Sequence, residues 1–235
     1  MIGERLITFD EIPSTNLYLK ENYERFPDGT VVVALTQTMG YGREGRRWYS
    51  PRGGLWFSVL FKPRQSVDPH FYTKLFAVAV LRALERLRVR ADLKWPNDVY
   101  VHGKKLAGIL AEGIFEGRRV KALIVGVGVN VNNEIPKELA EKAISLKALT
   151  SKEWELMTLL RLILRYARSL LRKYSKKKEA LTRVWKGMLM QKEGDEILFL
   201  DEGKEKWGRI VKIASDHLLV ESNGELKKVC SLSLP

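Results

Sequence analysis

The segment Gly40–Gly54 constrains the fold of this chain more than any other stretch of its sequence. It holds five glycines, four arginines and Pro51 within 15 residues. Glycine is costly inside helices and strands, and proline continues neither, so the segment predicts a long loop. Long ordered loops inside compact domains are usually functional. The fold must therefore carry an extended glycine–arginine loop between its regular elements.

The loop begins with Gly40-Tyr41-Gly42-Arg43-Glu44-Gly45, which matches the G-x-G-x-x-G pattern of dinucleotide-binding folds. That pattern binds pyrophosphate only where a helix begins at the glycines. Pro51 and two further glycines rule out a helix here, so we exclude a Rossmann site. The composition favours a loop whose amides and guanidinium groups close around an anion. A solvated basic loop is the alternative that composition alone leaves open.

The composition describes a globular chain. Its 235 residues include 45% hydrophobic side chains, and 41 Lys+Arg against 28 Asp+Glu give a formal charge of +13. This apolar fraction excludes a wholly disordered basic chain. No apolar run reaches about 20 residues, the length that spans a bilayer, and the N-terminus does not resemble a signal peptide. The lone Cys230 excludes an internal disulfide and a thiolate metal cage. We predict a soluble, cytoplasmic protein without membrane contact.

The positive charge has two dense sources. Residues 40–64 hold six basic side chains and one acidic, and residues 151–190 hold eleven basic and three acidic. The second source includes an amphipathic helix predicted over 152–173. Its basic stripe consists of Arg161, Arg165, Arg168 and Arg172. A solvated helix face is the favoured interpretation of this stripe, with RNA, a membrane surface or an acidic partner left open.

Hydrophobic patterning predicts an α+β fold, in which a mixed β-sheet carries its helices on one face. Strands are predicted at 30–35, 55–61, 93–95, 99–101, 106–112 and 119–130, and helices at 16–23 and 69–87. Ser14 or Thr15 is the predicted N-cap of the first helix, and Asp68 is that of the second, because Pro69 follows it. Four short strands after about residue 190 predict a small C-terminal barrel. The predicted domains are therefore 1–188 and 189–235.

Three further motifs could carry chemistry, and each is weak alone. Lys94-Trp95-Pro96-Asn97-Asp98 presents Asn97 and Asp98 in a turn after a strand, which is also an ordinary turn signal. Lys104-Lys105-Leu106-Ala107-Gly108 places lysines at a hairpin, where they could reach an anion or simply protect a strand edge. Gly126-x-Gly128-x-Asn130 puts both glycines on one strand face, where a ligand can approach or a bulge can form.

Taken in order, these segments resemble the biotin protein ligase family (biotin–acetyl-CoA-carboxylase ligases). The resemblance rests on Ser14-Thr15-Asn16, Gln37-x-x-Gly40-x-Gly42-Arg43-x-Gly45-Arg46-x-Trp48, Lys94-Trp95-Pro96-Asn97-Asp98, Lys105-Leu106-Ala107-Gly108-Ile109-Leu110-x-Glu112 and Gly126-x-Gly128-x-Asn130. It covers residues 1 to about 188. The C-terminal unit is similar to the SH3-like domain of that family. The resemblance implies a catalytic domain like those of class II synthetases and biotin ligases, followed by an SH3-like barrel.

The resemblance also implies an activity. Such an enzyme uses ATP and Mg²⁺ to convert biotin to biotinyl-5′-AMP, and then transfers biotin to one lysine of a biotin carboxyl carrier protein. The implied catalytic residues are Lys105 and Arg43, which would neutralise the biotin carboxylate and the α-phosphate. The implied biotin-binding residues are Ser14, Thr15, Asn16, Gln37, Gly40, Tyr41, Gly42, Arg43, Lys105 and Gly108. The implied adenylate-binding residues are Arg46, Trp48, Asn97, Asp98, Lys105 and Asn130, with Asp98 also a candidate metal ligand.

Two departures from the family pattern affect these expectations. The loop has Tyr41 where members often have arginine, and Glu44 lies among the arginines, so the energetics of loop closure are expected to differ. We expect closure to be a disorder-to-order change on ligand binding, because glycine-rich loops are entropically costly to fix. Only 13 residues precede Ser14, too few for the winged helix of repressor-type members, so no sequence-specific DNA binding is predicted. A homodimer is left open.

Two alternatives remain. A lipoate or octanoyl ligase or transferase would have a similar fold, but the loop pattern and Lys94-Trp95-Pro96-Asn97-Asp98 favour biotin. A basic nucleic-acid-binding module is the alternative of a different class. Residues 191–235 carry seven basic and nine acidic side chains, the wrong balance for binding phosphates.

Overall fold

A seven-stranded sheet forms the centre of the fold. The computed structural model describes residues 1–63, 68–117, 119–201, 203–214 and 216–230. The strands of this sheet are β1 (Leu6–Ile12), β2 (Val31–Gln37), β3 (Leu55–Phe61), β4 (Asp92–Lys94), β5 (Asp98–Val101), β6 (Lys104–Glu116) and β7 (Arg119–Val129). Their order is β1-β2-β3-β7-β6-β5-β4. β1 and β2 run parallel, and the other neighbours run antiparallel, so the sheet is mixed as predicted.

Helices cover both faces of this sheet, which corrects the prediction that they lie on one face. The helices are α1 (Thr15–Asn22), α2 (Pro69–Arg86), α3 (Leu146–Thr150), α4 (Leu156–Tyr174) and α5 (Lys178–Gly187). α2, α4 and α5 pack in the main core, which receives Val31 and Val33 of β2. Val32 points to the opposite face and packs with Leu19 of α1 and Leu60 of β3. The prediction failed because Leu19 is the one apolar residue that α1 buries.

Most predicted elements lie within a few residues of their observed bounds. β3 coincides with the strand predicted at 55–61, and it is buried on both faces because helices cover both sides. β1, α3 and α5 have no predicted counterpart. β1 is a partly exposed strand with mixed polar and apolar residues, and α5 buries only Leu181 and Trp185. Neither segment has enough apolar periodicity to stand out in the sequence.

The first turn of α2 is capped as the sequence predicts. Asp68 precedes Pro69, and its carboxylate accepts a hydrogen bond of 2.9 Å from the backbone N–H of His70. This bond satisfies one of the N–H groups that a helix start leaves without a partner. The helix then buries Leu75, Val78 and Ala79 in the main core.

Replacing Asp68 with alanine is expected to lower the free energy of unfolding by about 1 kcal/mol, because the N–H of His70 loses its acceptor. Asp68→Asn keeps an oxygen at the same place and is the matched control, with an expected change of about 0.3 kcal/mol. Urea denaturation of the three proteins measures both changes. Equal losses in the two variants would contradict the capping role.

α4 begins at Leu156 rather than at residue 152. The carboxylate of Glu155 accepts hydrogen bonds from the backbone N–H groups of Met157, at 2.9 Å, and Thr158, at 2.5 Å, and so caps the helix. The arginine stripe on this helix is divided. Arg168 is half-buried and donates to the Ile2 carbonyl at 3.0 Å, whereas Arg161, Arg165 and Arg172 are exposed.

A second sheet follows α5. Its strands are β8 (Glu196–Asp201), β9 (Lys204–Ile213), β10 (Leu218–Ser222) and β11 (Glu225–Val229), all antiparallel in the order β11-β10-β9-β8. The four described strands form an open sheet, so the predicted barrel is not confirmed. Residues 231–235 of the predicted C-terminal domain lie outside the described residues. Over the described part of the chain, no helix is both long and apolar enough to cross a membrane.

Candidate functional site

A cavity of about 300 Å³ opens over four neighbouring strands of the large sheet. The strand register places Trp56 of β3, Gly128 of β7, Gly108 of β6 and Asp98 of β5 in one row across the sheet. Side chains in such a row point to the same face. Two glycines in the middle of the row leave the backbone open, so they form a flat floor between an indole and a carboxylate.

A second row lies two residues further along the same face. Ser58 of β3 pairs there with Gly126 of β7. Continuing the alternation leads to Leu60 and Ile124, which pack in the α1 cluster. The cavity therefore lies on the α1 side of the sheet, opposite the main core.

Each glycine of β7 admits one side chain. A Cβ atom at Gly128 would lie 2.5 Å from Nε1 of Trp48, and a Cβ atom at Gly126 would collide with the carboxamide of Asn16. Real Cβ atoms do not come this close to their neighbours, so neither side chain could keep its place over an alanine. The glycines thus place an indole and a carboxamide two residues apart on one strand.

Trp48 forms the aromatic wall of the cavity. Its ring stands edge-on to Trp56, with centroids 6.4 Å apart, and Nζ of Lys105 lies 5.0 Å from its centroid. Its Nε1–H is buried and has no hydrogen-bond partner among the described residues. A buried donor of this kind is uncommon in folded proteins. An acceptor atom on a bound molecule would satisfy it.

A polar pocket lies at the α1 end of the cavity. Ser14 is the N-cap of α1, as predicted, and its hydroxyl accepts from the N–H of Leu17. The Thr15 hydroxyl lies 3.1 Å from Oε1 of Gln37 and 2.6 Å from the hydroxyl of Ser58. These groups belong to α1, β2 and β3 and are largely buried. We call Ser14, Thr15, Gln37 and Ser58 the polar pocket; Ser58 was not predicted.

Glu112 on β6 joins the polar pocket to the glycine–arginine loop. Its carboxylate accepts hydrogen bonds from the amide of Asn16 at 2.7 Å and from the hydroxyl of Tyr41 at 2.8 Å, and it pairs with Lys20 at 2.5 Å. Burial and the bond to Glu112 raise the pKa of Tyr41 well above its ordinary value. Glu112 ends one of the motifs that carry the family resemblance, but no role was predicted for it. Its place on the same strand face as Gly108 was the available signal.

Lys105 and Asp98 form an ion pair inside the cavity. Nζ of Lys105 lies 2.6 Å from Oδ2 of Asp98, and the two side chains are 25% and 18% exposed. Gly108 lies beneath this pair, because a Cβ there would approach both Asp98 and the Lys105 side chain within 3.4 Å. The glycine lets Lys105 bend toward the floor and Trp48. A cation thus lies between the aromatic wall and the carboxylate.

Two residues beside this pair were not predicted. Lys94 and Tyr100 line the cavity, with Nζ of Lys94 5.2 Å from the centroid of the Tyr100 ring. Burial lowers the pKa of Lys94 and outweighs the opposing effect of Asp98. Burial and then Asp98 raise the pKa of Tyr100. The cavity therefore holds a second, partly desolvated cation close to the first.

The arginines of the loop form the outer rim. Nη2 of Arg43 donates to the backbone carbonyl of Cys230 at 2.7 Å, which links the rim to the end of β11. Arg46 pairs with Glu44 at 2.6 Å, and both side chains are about half exposed. Arg43, Glu44 and Gly45 form a single 3-10 turn in which Glu44 has φ of 59°. The loop therefore has a defined path even though it belongs to no strand or long helix.

The other predicted site residues are divided between the cavity and its supports. Gly42 and Asn130 line the cavity, and Asn130 accepts a hydrogen bond from Asn133. Asn97 also reaches the wall, but its amide donates to the Ile109 carbonyl at 2.6 Å, which holds the β4–β5 turn against β6. Gly40 lies behind the wall, where a Cβ would meet the Ser50 hydroxyl and the Trp48 carbonyl.

A segment that the sequence did not single out closes the cavity on the far side. Its lining residues are Ile135, Pro136, Leu139, Lys142 and Ala143. The segment is held to β6 by backbone bonds from Lys105 N–H to the Lys142 carbonyl, at 2.8 Å, and from Ile144 N–H to the Lys105 carbonyl, at 3.0 Å. The position of this segment beside the cavity is visible only in the three-dimensional structure, because its composition is that of an ordinary loop.

The arrangement suits an elongated ligand with three parts. The polar pocket offers hydroxyls and an amide to an uncharged polar group. Lys105, with Lys94 nearby, suits anionic groups at the centre of the cavity. Trp48 offers a flat aromatic surface to a planar ring. A carboxylate and a phosphate could meet at Lys105, because fixed cations offset the repulsion between two anions.

Comparisons with known proteins agree with this geometry. The family described as the biotin/lipoate A/B protein ligase family matches residues 7–130. The bifunctional ligase/repressor BirA of Bacillus subtilis is 41% identical over 154 residues, which cover 62% of this chain and 47% of that protein. Biotin–protein ligase 2 of Arabidopsis thaliana is 32% identical over 141 residues, covering 57% and 43%. The match thus spans about half the length of these curated relatives.

Among solved structures, the chain is similar to a biotin protein ligase from Aquifex aeolicus in complex with biotin and ATP. The two are 33% identical with a TM-score of 0.82, and the alignment covers 97% of this chain and 96% of that one. The likeness extends over both sheets.

Proposed function

This chain belongs to the biotin/lipoate A/B protein ligase family, and on that premise we propose that it is an ATP-dependent biotin protein ligase. The observation that carries the proposal is the Lys105–Asp98 pair beside Trp48, on a glycine floor next to the polar pocket. Biotin has an uncharged polar ring system and a carboxylate, and ATP has a planar base and phosphates. These parts match the polar pocket, the cations and the indole in that order.

The polar pocket would bind the ureido ring of biotin. A ureido group has one carbonyl acceptor and two N–H donors. The hydroxyls of Ser14, Thr15 and Ser58 can donate or accept, and Gln37 offers both kinds of atom. Asn16, Tyr41 and Gly42 would line the rest of the biotin site, with Gly40 supporting the loop from behind.

The biotin tail would lead to Lys105 and the phosphates of ATP. In the first step a carboxylate oxygen attacks the α-phosphorus, the bond from that phosphorus to the bridging oxygen breaks, and pyrophosphate leaves. The Lys105 ammonium would neutralise the attacking carboxylate and the negative charge that builds on the α-phosphate. Arg43 and Arg46 of the rim would add positive charge. Arg43 must exchange the Cys230 carbonyl for the ligand to do so.

Trp48 would hold the adenine ring, supported by Asn130 and by the unpredicted segment at 135–143. Stacking on an aromatic side chain contributes about 1–3 kcal/mol per base. In the second step, the amine of a carrier lysine attacks the acyl carbon of biotinyl-5′-AMP, the bond from that carbon to the phosphate oxygen breaks, and AMP leaves. The enclosed position of the anhydride limits its hydrolysis before the carrier arrives.

Asp98 is the residue that would hold Mg²⁺. Among the described residues, Glu44 and Asp98 are the carboxylates that line the cavity, and each is in an ion pair: Glu44 with Arg46 at the exposed rim, and Asp98 with Lys105 at the less exposed centre. Magnesium is commonly held by one or two carboxylates together with substrate phosphates. No group of three acidic, His or Cys side chains able to hold a metal is found in the described part of the chain, which fits an ion that arrives with ATP. The ion would neutralise phosphate charge.

We extend the proposal to the partner and the domain organisation. The acceptor is a biotin carboxyl carrier protein, and the division into 1–188 and 189–235 follows the two sheets. The C-terminal sheet corresponds to an SH3-like unit in this proposal. The cytoplasmic location stays a prediction from the sequence, and a homodimer is left open.

A labelling assay tests the proposed function. The protein is incubated with ATP, Mg²⁺, radiolabelled biotin and a biotin carboxyl carrier domain, and acid-stable label on the carrier is counted. A carrier in which the acceptor lysine is replaced with arginine is the control, and radiolabelled lipoate is run in parallel. We expect label on the intact carrier with biotin only. Label with lipoate instead, or no label from a folded protein, would overturn the proposal.

A further inference from the structure

Glu112 is the centre of a buried hydrogen-bond network that no role in the proposed function accounts for. Its carboxylate takes the Tyr41 hydroxyl and the Asn16 amide on one oxygen, Oε2, and the Lys20 ammonium on the other. Lys20 also approaches the Tyr41 hydroxyl at 3.4 Å and lies 5.7 Å from the centroid of its ring. Three elements therefore meet at one carboxylate: α1, β6 and the loop.

From Asn16 the network continues into the polar pocket. The Ser58 hydroxyl donates to Oδ1 of Asn16 at 2.5 Å and lies 2.6 Å from the Thr15 hydroxyl, which in turn bonds Gln37. The carbonyl oxygens of Gln37 and Asn16 only accept, so the two hydroxyl protons of Thr15 and Ser58 can serve two of these three contacts. From Asn16, which lines the cavity, through Glu112 to Tyr41, each contact has its own donor.

Tyr41 anchors the first part of the loop, through its hydrogen bond to Glu112. It is half-buried, whereas Glu44, Gly45, Arg46 and Arg47 are exposed. The bond from a tyrosine hydroxyl to an ionised carboxylate is charge-assisted and stronger than a bond between neutral groups. Lys20 and Glu112 are only 31% and 21% exposed, so water screens their attraction less than at an open surface. The exposed arginines lie between this bond and Trp48, and backbone bonds from Gly42 N–H to the Arg46 carbonyl, at 2.8 Å, and from Trp48 N–H to the Gly40 carbonyl, at 2.9 Å, join the two sides of the loop.

We propose that Glu112 and Tyr41 are positioning residues, which hold the first part of the loop at the cavity rim and couple its order to occupancy of the polar pocket. This inference rests on the proposed function, because biotin is the ligand assigned to that pocket. It assigns a purpose to the departure at Tyr41: the hydroxyl replaces a flexible cation with a short, fixed tether. The remainder of the loop, which carries Arg43, Arg46 and Arg47, closes about that tether.

Coupling between two sites is reciprocal. If filling the polar pocket orders the loop through Asn16 and Glu112, then ordering the loop must strengthen biotin binding by the same factor, and a loosened loop must weaken it. The network therefore makes two linked predictions, one about the loop without ligand and one about the affinity for biotin.

Limited trypsin digestion measures the loop, since Arg43, Arg46 and Arg47 are cleavage sites. Tyr41→Phe and Glu112→Gln are each expected to raise the rate of cleavage in the loop roughly tenfold in the ligand-free protein, because a charge-assisted bond is lost. The KM for biotin should rise as well, by at most the same factor, while kcat for biotinyl-AMP formation falls less than about threefold. The double variant should add little to either single change, because both remove one interaction.

Matched controls come from similar pairs elsewhere. Tyr23 donates to Glu24 at an exposed site, and Glu116 pairs with Lys121 on the same strand as Glu112. Tyr23→Phe and Glu116→Gln should leave both the loop cleavage and the KM for biotin unchanged. Thermal unfolding of every variant separates a loosened loop from a destabilised fold.

Cleavage within about twofold of the parent protein in a folded Tyr41→Phe variant would overturn the proposal, as the charge-assisted bond would then hold nothing. Faster cleavage without a rise in the KM for biotin would overturn the coupling. The cleavage result for Glu112→Gln is interpreted only if the unfolding temperature of that variant is close to that of the parent. If it is not, the Tyr41→Phe variant, which removes only one oxygen, decides the test. Failure of the proposed function is distinguishable, since the parent protein would then give no label while the ligand-free cleavage still reports the tether.

Discussion

Replacing Lys105 with alanine is expected to slow formation of biotinyl-5′-AMP by about 10²–10³-fold, the usual effect of removing one preorganised group from a site of developing charge. Lys105 is the cation placed between Trp48 and Asp98, on a floor that Gly108 keeps open. Without it the biotin carboxylate meets the α-phosphate with less neutralisation, and Asp98 adds a third negative charge. Biotin-dependent exchange of pyrophosphate into ATP measures this step without a carrier.

Lys104→Ala is the matched control for Lys105→Ala. Lys104 is the preceding residue of the same strand, but it does not line the cavity, and its ammonium donates to the Ala140 carbonyl at 2.7 Å. We expect near-parental exchange from this variant. Circular dichroism and thermal unfolding check that both variants fold. Near-parental exchange by a folded Lys105→Ala protein would remove Lys105 from the chemistry.

Two alanine substitutions on β7 are expected to separate the two substrates. Gly128→Ala should raise the KM for ATP by about 10–100-fold, because its Cβ displaces Trp48 and stacking is lost. Gly126→Ala should weaken biotin binding by about 10–100-fold, because its Cβ displaces Asn16 from Ser58 and Glu112. Calorimetry of biotin binding and the ATP dependence of pyrophosphate exchange measure the two effects.

Each of these variants is the control for the other. Both add one methyl group to the same face of the same strand, and alanine fits a strand no worse than glycine. A loss of stability would therefore affect both alike, whereas the effects on the substrates should differ. If both variants weakened both substrates equally, the assignment of Asn16 and Trp48 to separate parts of the cavity would be wrong.

The sequence predicts local features of this fold well. The bounds of β3, the Asp68 cap of α2 and the Ser14 cap of α1 follow from residues within one turn of the feature, so short-range chemistry decides them. The ordered motifs likewise contain most of the residues that line the cavity. Family motifs record which residues recur together, and in this fold they meet on one sheet face.

The sequence does not reveal which residues from distant strands and helices lie next to one another. Asn16 and Glu112 are 96 residues apart, and they meet only because the Glu112 side chain points to the face of the sheet that α1 covers. Ser58 reaches Thr15 across 43 residues for the same reason. Neither residue type is unusual in a strand, so nothing local distinguishes it. The prediction that all helices lie on one face of the sheet failed for a related reason. The single buried leucine of α1, Leu19, gives no apolar periodicity in the sequence.

The spacing of the glycines on β7 sets the distance between two parts of the cavity. Asn16 lies over Gly126 and Trp48 over Gly128, and two residues of a strand span about 7 Å. That interval is set by covalent geometry, which cannot stretch or compress as side-chain packing can. Substitutions in the core can change how tightly each half of a ligand is held, but not how far apart the halves lie. The strand therefore sets the distance between the part of the cavity proposed for biotin and the wall proposed for adenine.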